Sequence, residues 1–145
     1  MSKKFIVGID ESTIDSRALA FAEELASCSE DTSIHIIHVL EWSPYSFLTA
    51  EELAERHKRR GEEMTRANDI FIAPVLEKLK KSKIKATGEV RYGGIAETIA
   101  KCADDLKGDM IFINRTGEGR VAARVFGSVP GSLVQISKVP VIVVP

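Results

Sequence analysis

Five short runs rich in Ile, Val and Phe are spaced along the chain, and a segment of helical character separates each from the next. The runs are FIVGI (5–9), SIHIIHVL (33–40), IKATGEVRY (84–92), DMIFIN (109–114) and VPVIVV (139–144). Strands that alternate with helices in this way lie parallel in one sheet, joined by right-handed crossovers, with helices on both faces. FIVGI, DMIFIN and VPVIVV are almost continuously apolar, as strands covered on both faces should be. The second and third runs are more mixed and are expected nearer a sheet edge.

The intervening segments carry the helix period. DSRALAFAEELASC (15–28) sets Leu19, Ala22, Leu25 and Ala26 on one stripe, and GIAETIAKCADDL (94–106) does the same with Ile95, Ile99, Cys102 and Leu106. The charged segment from Thr49 to Lys81 contains Gly61 and Pro74, and an interruption is expected near the proline. In GSVPGSLVQIS (127–137), Ser128 is a suitable cap and Pro130 falls in the first turn, where a missing N–H is tolerated. The result is β-α-β-α-β-α-β-α-β in a single domain, residues 1–145, without repeat or linker. The segment EWSPYSFLTAEE (41–52) is expected to be a surface loop, with Trp42, Tyr45 and Phe47 either packed on the domain or meeting a partner.

Composition narrows the classes. Apolar residues make up 44% and charged residues 28%, with 20 basic against 21 acidic side chains and a net charge of -1. A broad nucleic-acid surface is not expected from that balance. No run approaches transmembrane length and no signal-peptide core precedes the first strand, so a cytoplasmic protein without membrane contact is expected. Cys28 and Cys102 form no C-x-x-C pair and are expected to be two buried structural thiols.

The stretch INRTGEGRVAARVFGSVPGS (113–132) follows the fourth run and concentrates glycine. As an ordinary loop it needs no ligand, so phosphate-binding patterns have to be weighed against that possibility. A Walker A loop is excluded, since no G-x-x-x-x-G-K-[S/T] occurs. Gly117 to Ala122 fits G-x-G-x-x-A, but a dinucleotide fold needs an acid about 20 residues later, and no Asp or Glu follows Glu118. An oxidoreductase of Rossmann type is therefore disfavoured. A third pattern joins Gly117 to Gly127-Ser128, so that backbone approaches a phosphate and the last helix opens with free N–H groups and a hydroxyl.

These residues carry a resemblance. The sequence resembles the universal stress protein family across nearly its whole length. Nucleotide-binding members of that family carry G-x-x-G-x9-G-[S/T] after the fourth strand and an Asp after the first. Asp10 in VGIDES matches that Asp, Gly117 the second motif glycine, and Gly127-Ser128 the third glycine with its hydroxyl partner. Val39 in IHVL matches the apolar residue beside the adenine. Asn114 stands at the first motif glycine, and because Asn tolerates left-handed backbone angles it is expected to keep the turn. The resemblance implies a three-layer α/β/α, Rossmann-like fold with a five-stranded parallel sheet in the order 3-2-1-4-5. It implies an ATP site drawn from Gly8, Ile9, Asp10, Val39, Ile113, Asn114, Thr116, Gly117, Gly127, Ser128 and Val129, with any Mg2+ carried by the phosphates. It also implies a stress-response module that pairs as a homodimer through residues 139–145 and has a protein partner of unknown identity. A nucleotide-free interaction protein of the same fold is the alternative.

Other features are plainer. Asp10 is also a candidate cap for the first helix through DES, with ligand contact the favoured role once the resemblance is counted. A phospho-acceptor receiver domain would want paired acids after the first strand and an Asp ending the third, which instead runs out in VRYGG. His35 and His38 fall on opposite faces of a strand, and with His57 they lack metal-ligand spacing, so no histidine metal site is expected. Arg115, Arg120 and Arg124 flank the glycines as phosphate partners or as solvated surface, and ERHKRR (55–60) is expected to be a solvated helix face. No nucleophile–base pair and no G-x-S-x-G elbow is present, which favours a binding or signalling module over an enzyme.

Overall fold

The computed structural model describes residues 2–10, 16–41, 49–115 and 129–145. In chain order they form β1 (Lys3–Ile9), α1 (Arg17–Ala26), β2 (Thr32–Glu41), α2 (Ala50–Ala67), α3 (Ala73–Lys81), β3 (Lys85–Gly93), α4 (Ile95–Leu106), β4 (Met110–Asn114), α5 (Val129–Ile136) and β5 (Val141–Val144). The strands make one five-stranded parallel sheet of order β3-β2-β1-β4-β5, the order implied by the resemblance. The aromatic residues Trp42, Tyr45 and Phe47 lie outside the described residues.

Strand alternation sends side chains into two separate cores. Phe5, Val7 and Ile9 of β1, with Ile34 and Ile36 of β2 and Phe112 of β4, face Ala18, Leu19 and Ala22 of α1 and Val75 and Leu79 of α3. On the other face, Ile6, Ile37, Val39, Ile111 and Ile113 pack under Ala96, Ile99, Cys102 and Ala103 of α4 and Leu133 of α5. No helix of the described residues is long and apolar enough to cross a membrane.

β2 lies between β1 and the edge strand β3, and its two histidines are buried with hydrogen-bond partners. β5 is the other edge strand, as the implied order requires, and Val141, Ile142 and Val143 are only half-buried. Two expectations need correction. Leu25 is 38% exposed, because the buried stripe of α1 runs through Ala18, Leu19, Ala22 and Ala26 instead. Cys28 is exposed, since α1 ends at Ala26, before the thiol could turn inward; Cys102 is buried as expected.

Two local features shape the layer over β2 and β3. Thr49 caps α2, its Oγ1 accepting from the Glu52 N–H at 3.1 Å. The expected interruption is a π-helical turn, Asn68–Ile72, in which the Ala73 N–H donates to the Asn68 carbonyl. It lies just ahead of Pro74, whose ring would clash with the Ile70 carbonyl in a regular α-helix; the wider turn relieves that clash. The π turn drives Ile72 against β3 at Gly88. A Cβ on Gly88 would lie 2.6 Å from both Ile36 Cγ1 and Ile72 Cγ2. Gly88→Ala should therefore destabilise the fold by about 1–3 kcal/mol through overpacking, read as a lower urea midpoint at unchanged slope; an unchanged midpoint would contradict this packing.

Candidate functional site

From β1 the chain winds outward to β3, then crosses back to add β4 on the other side of β1. Crossovers diverge at such a reversal and leave a crevice beyond the carboxyl ends of the two central strands. Those ends carry Gly8, Ile9 and Asp10 on one side and Ile113 and Asn114 on the other. Val39 stands at the corresponding end of β2.

The floor of this edge is apolar. Val39 and Ile113 are buried in the core under α4 and α5, and Val129, the first residue of α5, packs against the same cluster. Gly8 belongs to that packing. A Cβ there would lie 3.0 Å from Ile99 Cδ1 and 3.2 Å from Ile113 Cγ2, so the missing side chain lets α4 close down on the strand end. Ile9 points into the opposite core, and its carbonyl accepts from His38 Nδ1 at 3.0 Å. His38 is buried and its ring lies 4.5 Å from that of Phe71. The His38 tautomer is therefore the one protonated on Nδ1, and the bond fixes the peptide that leads into Asp10. Strand alternation turns His38 inward, but no local pattern could reveal that its partner is a backbone group on another strand.

Asn114 behaves differently from its expected role. It is the last residue of β4, paired with Val144. Among the described residues Lys83 and Lys107 are the non-glycine residues with positive φ, so Asn114 keeps strand geometry and makes no left-handed turn. Alternation along β4 turns its side chain toward α1, where Oδ1 accepts from the Ala18 N–H at 2.8 Å. Ser16 caps the same helix, its Oγ accepting from the Leu19 N–H at 3.2 Å. Two donors of the first turn of α1 are thus satisfied from within the protein. Arg17 also reaches the carbonyl of Pro145 at 3.4 Å, drawing this helix start toward the end of β5.

Thr116, Gly117, Gly127 and Ser128 lie outside the described residues, as do Arg120 and Arg124. Seven of the expected residues, Gly8, Ile9, Asp10, Val39, Ile113, Asn114 and Val129, are described and gather at the carboxyl ends of β1, β2 and β4 and the start of α5. Arg115 is exposed, and its N–H donates to the Val144 carbonyl at 2.8 Å.

Comparison with known proteins identifies the family and supports the fold. The model of the universal stress protein family matches residues 1–145. A universal stress protein from Methanocaldococcus jannaschii is 27% identical over 150 residues, covering 98% of this chain and 81% of the relative. Among solved structures, universal stress protein UspA from Lactobacillus plantarum superposes with a TM-score of 0.71 at 21% identity, over 99% of this chain and 97% of its own. The universal stress protein from Archaeoglobus fulgidus in complex with dAMP superposes with a TM-score of 0.59 at 21% identity, over 99% and 98%. At those identities the structural likeness speaks for the fold.

The Asn114 contact generates a test. Asn114→Ala should lower stability by about 0.5–2 kcal/mol through loss of a helix cap. Asn114→Asp keeps an acceptor at a helix start, where negative charge is favoured, and should retain most of that stability. Denaturation midpoints for the two variants check this, and equal losses in both would mean the capping bond contributes nothing.

Proposed function

The chain belongs to the universal stress protein family, and we propose that it is a cytoplasmic, homodimeric module that binds ATP at the β1–β4 edge to signal rather than to catalyse. The observation that carries this reading is the division of labour between two helix starts. Asn114 and Ser16 occupy donors of α1, so α1 is poorly placed to receive phosphates. That leaves the start of α5, beside the glycine-rich stretch, as the anion site. Pro130 has no N–H, so the donors there are Val129 and Gly131. The helix dipole contributes only about 0.3–1 kcal/mol to one exposed charge. Phosphate affinity must come from several contacts, which Gly117, Gly127 and Ser128 would supply through backbone and hydroxyl.

In this reading Asp10 takes the adenosine end, Val39 and Ile113 give the base an apolar wall, and Mg2+ is held by the phosphates. Binding of dAMP by the Archaeoglobus fulgidus protein is consistent with an adenine nucleotide in this fold. Calorimetric titration with magnesium present should give tighter binding of ATP than of ADP, and of ADP than of adenosine. Gly127→Val should erase that ranking, because a side chain would fill the space where backbone meets phosphate. Asp10→Ala should weaken all three ligands while costing no more stability than a helix cap, about 0.5–2 kcal/mol. Equal affinity for all three ligands, or no heat with any, would leave the alternative of a nucleotide-free interaction protein.

The dimer follows from the edge position of β5. Its apolar residues and its unpaired edge invite a second copy to pair across a twofold axis. Light scattering at tens of micromolar should give a dimer, and Val143→Lys should shift it to monomer; a monomeric parent or an unaffected variant would refute pairing through β5.

A further inference from the structure

On the sheet face covered by α4, three side chains with metal-binding atoms converge from three elements. His35 of β2, Glu89 of β3 and Cys102 of α4 offer one atom each, and these atoms all lie within 4.8 Å of one another. His35 Nε2 is 2.8 Å from Glu89 Oε2, and Cys102 Sγ is 3.8 Å from that same oxygen. With bonds of about 2.0–2.3 Å, a tetrahedral zinc site holds its ligand atoms roughly 3.3–3.8 Å apart. Rotation of the Glu89 and Cys102 side chains spans the difference.

The surroundings suit an ion as well as the three atoms do. Ligating histidines are oriented by a partner on the other ring nitrogen, and His35 Nδ1 lies 2.6 Å from Thr87 Oγ1. That hydroxyl can accept from Nδ1–H as readily as donate to Nδ1. The imidazole can therefore shift its proton from Nε2 to Nδ1 and turn a lone pair toward the ion while remaining neutral. Burial, outweighing Glu89, already holds the His35 pKa below its ordinary value. Arg91 holds both oxygens of Glu89, Nε donating to Oε1 at 2.6 Å and Nη2 more loosely to Oε2 at 3.3 Å, and its Nη1 reaches Asp105 at 3.1 Å. A dication, the Glu89 carboxylate and a Cys102 thiolate sum to zero charge, and so do Arg91 and Asp105. A neutral assembly is what a half-buried site requires.

We propose that His35, Glu89 and Cys102 bind one divalent transition ion of borderline softness, zinc fitting best, with water in the fourth position. The mixture of imidazole, carboxylate and thiolate selects this class of ion over Mg2+ or Ca2+, which prefer oxygen alone. Entry is from the side of Glu89, whose side chain is 31% exposed, since Cys102 is fully buried. Burial pushes the Cys102 thiol up to about 12, so it holds its proton until a metal arrives. Formation of the metal–sulfur bond breaks the S–H bond and releases one proton to solvent. Histidine spacing could not disclose this site, because a single histidine takes part and the other two ligands come from β3 and α4.

The test uses the full chain, reduced and stripped with chelator, titrated with Co2+ in the absence of oxygen. One equivalent should bring a thiolate-to-cobalt charge-transfer band with the visible bands of four-coordinate cobalt, and Zn2+ should abolish both while one proton is released per ion. Cys28→Ser should keep the band and Cys102→Ala should lose it. Glu89→Gln, on a partly exposed strand face, and Thr87→Val, which removes only the partner of His35, should each weaken Zn2+ by about tenfold or more. No charge-transfer band in the parent chain would overturn the proposal. So would a band that survives Cys102→Ala or disappears in Cys28→Ser, which would assign the metal to the exposed thiol.

Discussion

β1 has neither an edge nor a face left for water, and the two cores exist because it divides them. It pairs with β2 on one side and β4 on the other, with helices above and below. Ile6 and Val7, adjacent in sequence, are both fully buried on opposite faces. Each contributes about 1.5–3 kcal/mol relative to an exposed side chain. The same strand sets the crevice. Gly8 lets Ile99 and Ile113 meet over the strand end, and His38 holds the following carbonyl, so the approach to Asp10 is fixed by packing on one face and a hydrogen bond on the other.

The reversal of strand order sets two helix starts beside this edge, and their chemistry has diverged. An N-terminal turn can either satisfy its donors from within the protein or keep them for an anion. α1 does the first, with Asn114 and Ser16, and this ties β4 to the helix that follows β1. A glycine at position 114 would supply no acceptor and would leave that donor to water or ligand. The asparagine therefore contributes to the fold at a place where the family pattern uses glycine.

Strand positions were legible because a strand covered on both faces has nowhere to put polar residues, and FIVGI and DMIFIN obey that rule closely. Strand order was not contained in periodicity; it came with the resemblance carried by Asp10, Gly117 and Gly127-Ser128. The mixed composition of β2 has a cause that periodicity could not show: His35 and His38 are both buried, each with a partner supplied by another strand. Cys28 was misjudged because helix ends are uncertain by a residue or two, enough to carry a thiol from the core to the surface. Asn114 was read by its backbone preference, yet its side-chain acceptor decides its role, and that depends on a helix 96 residues away.

The most direct measurement of the nucleotide site is a map of backbone amide resonances of the isotopically labelled chain as ATP is added. The amides of Gly8, Ile9, Asp10, Ile113, Val129 and Gly131 should shift most, while those of Ala18 and Leu19, held by Asn114 and Ser16, should move little. Shifts concentrated at the start of α1, or none at all at saturating ATP, would contradict a nucleotide seated at the β1–β4 edge with its phosphates on α5.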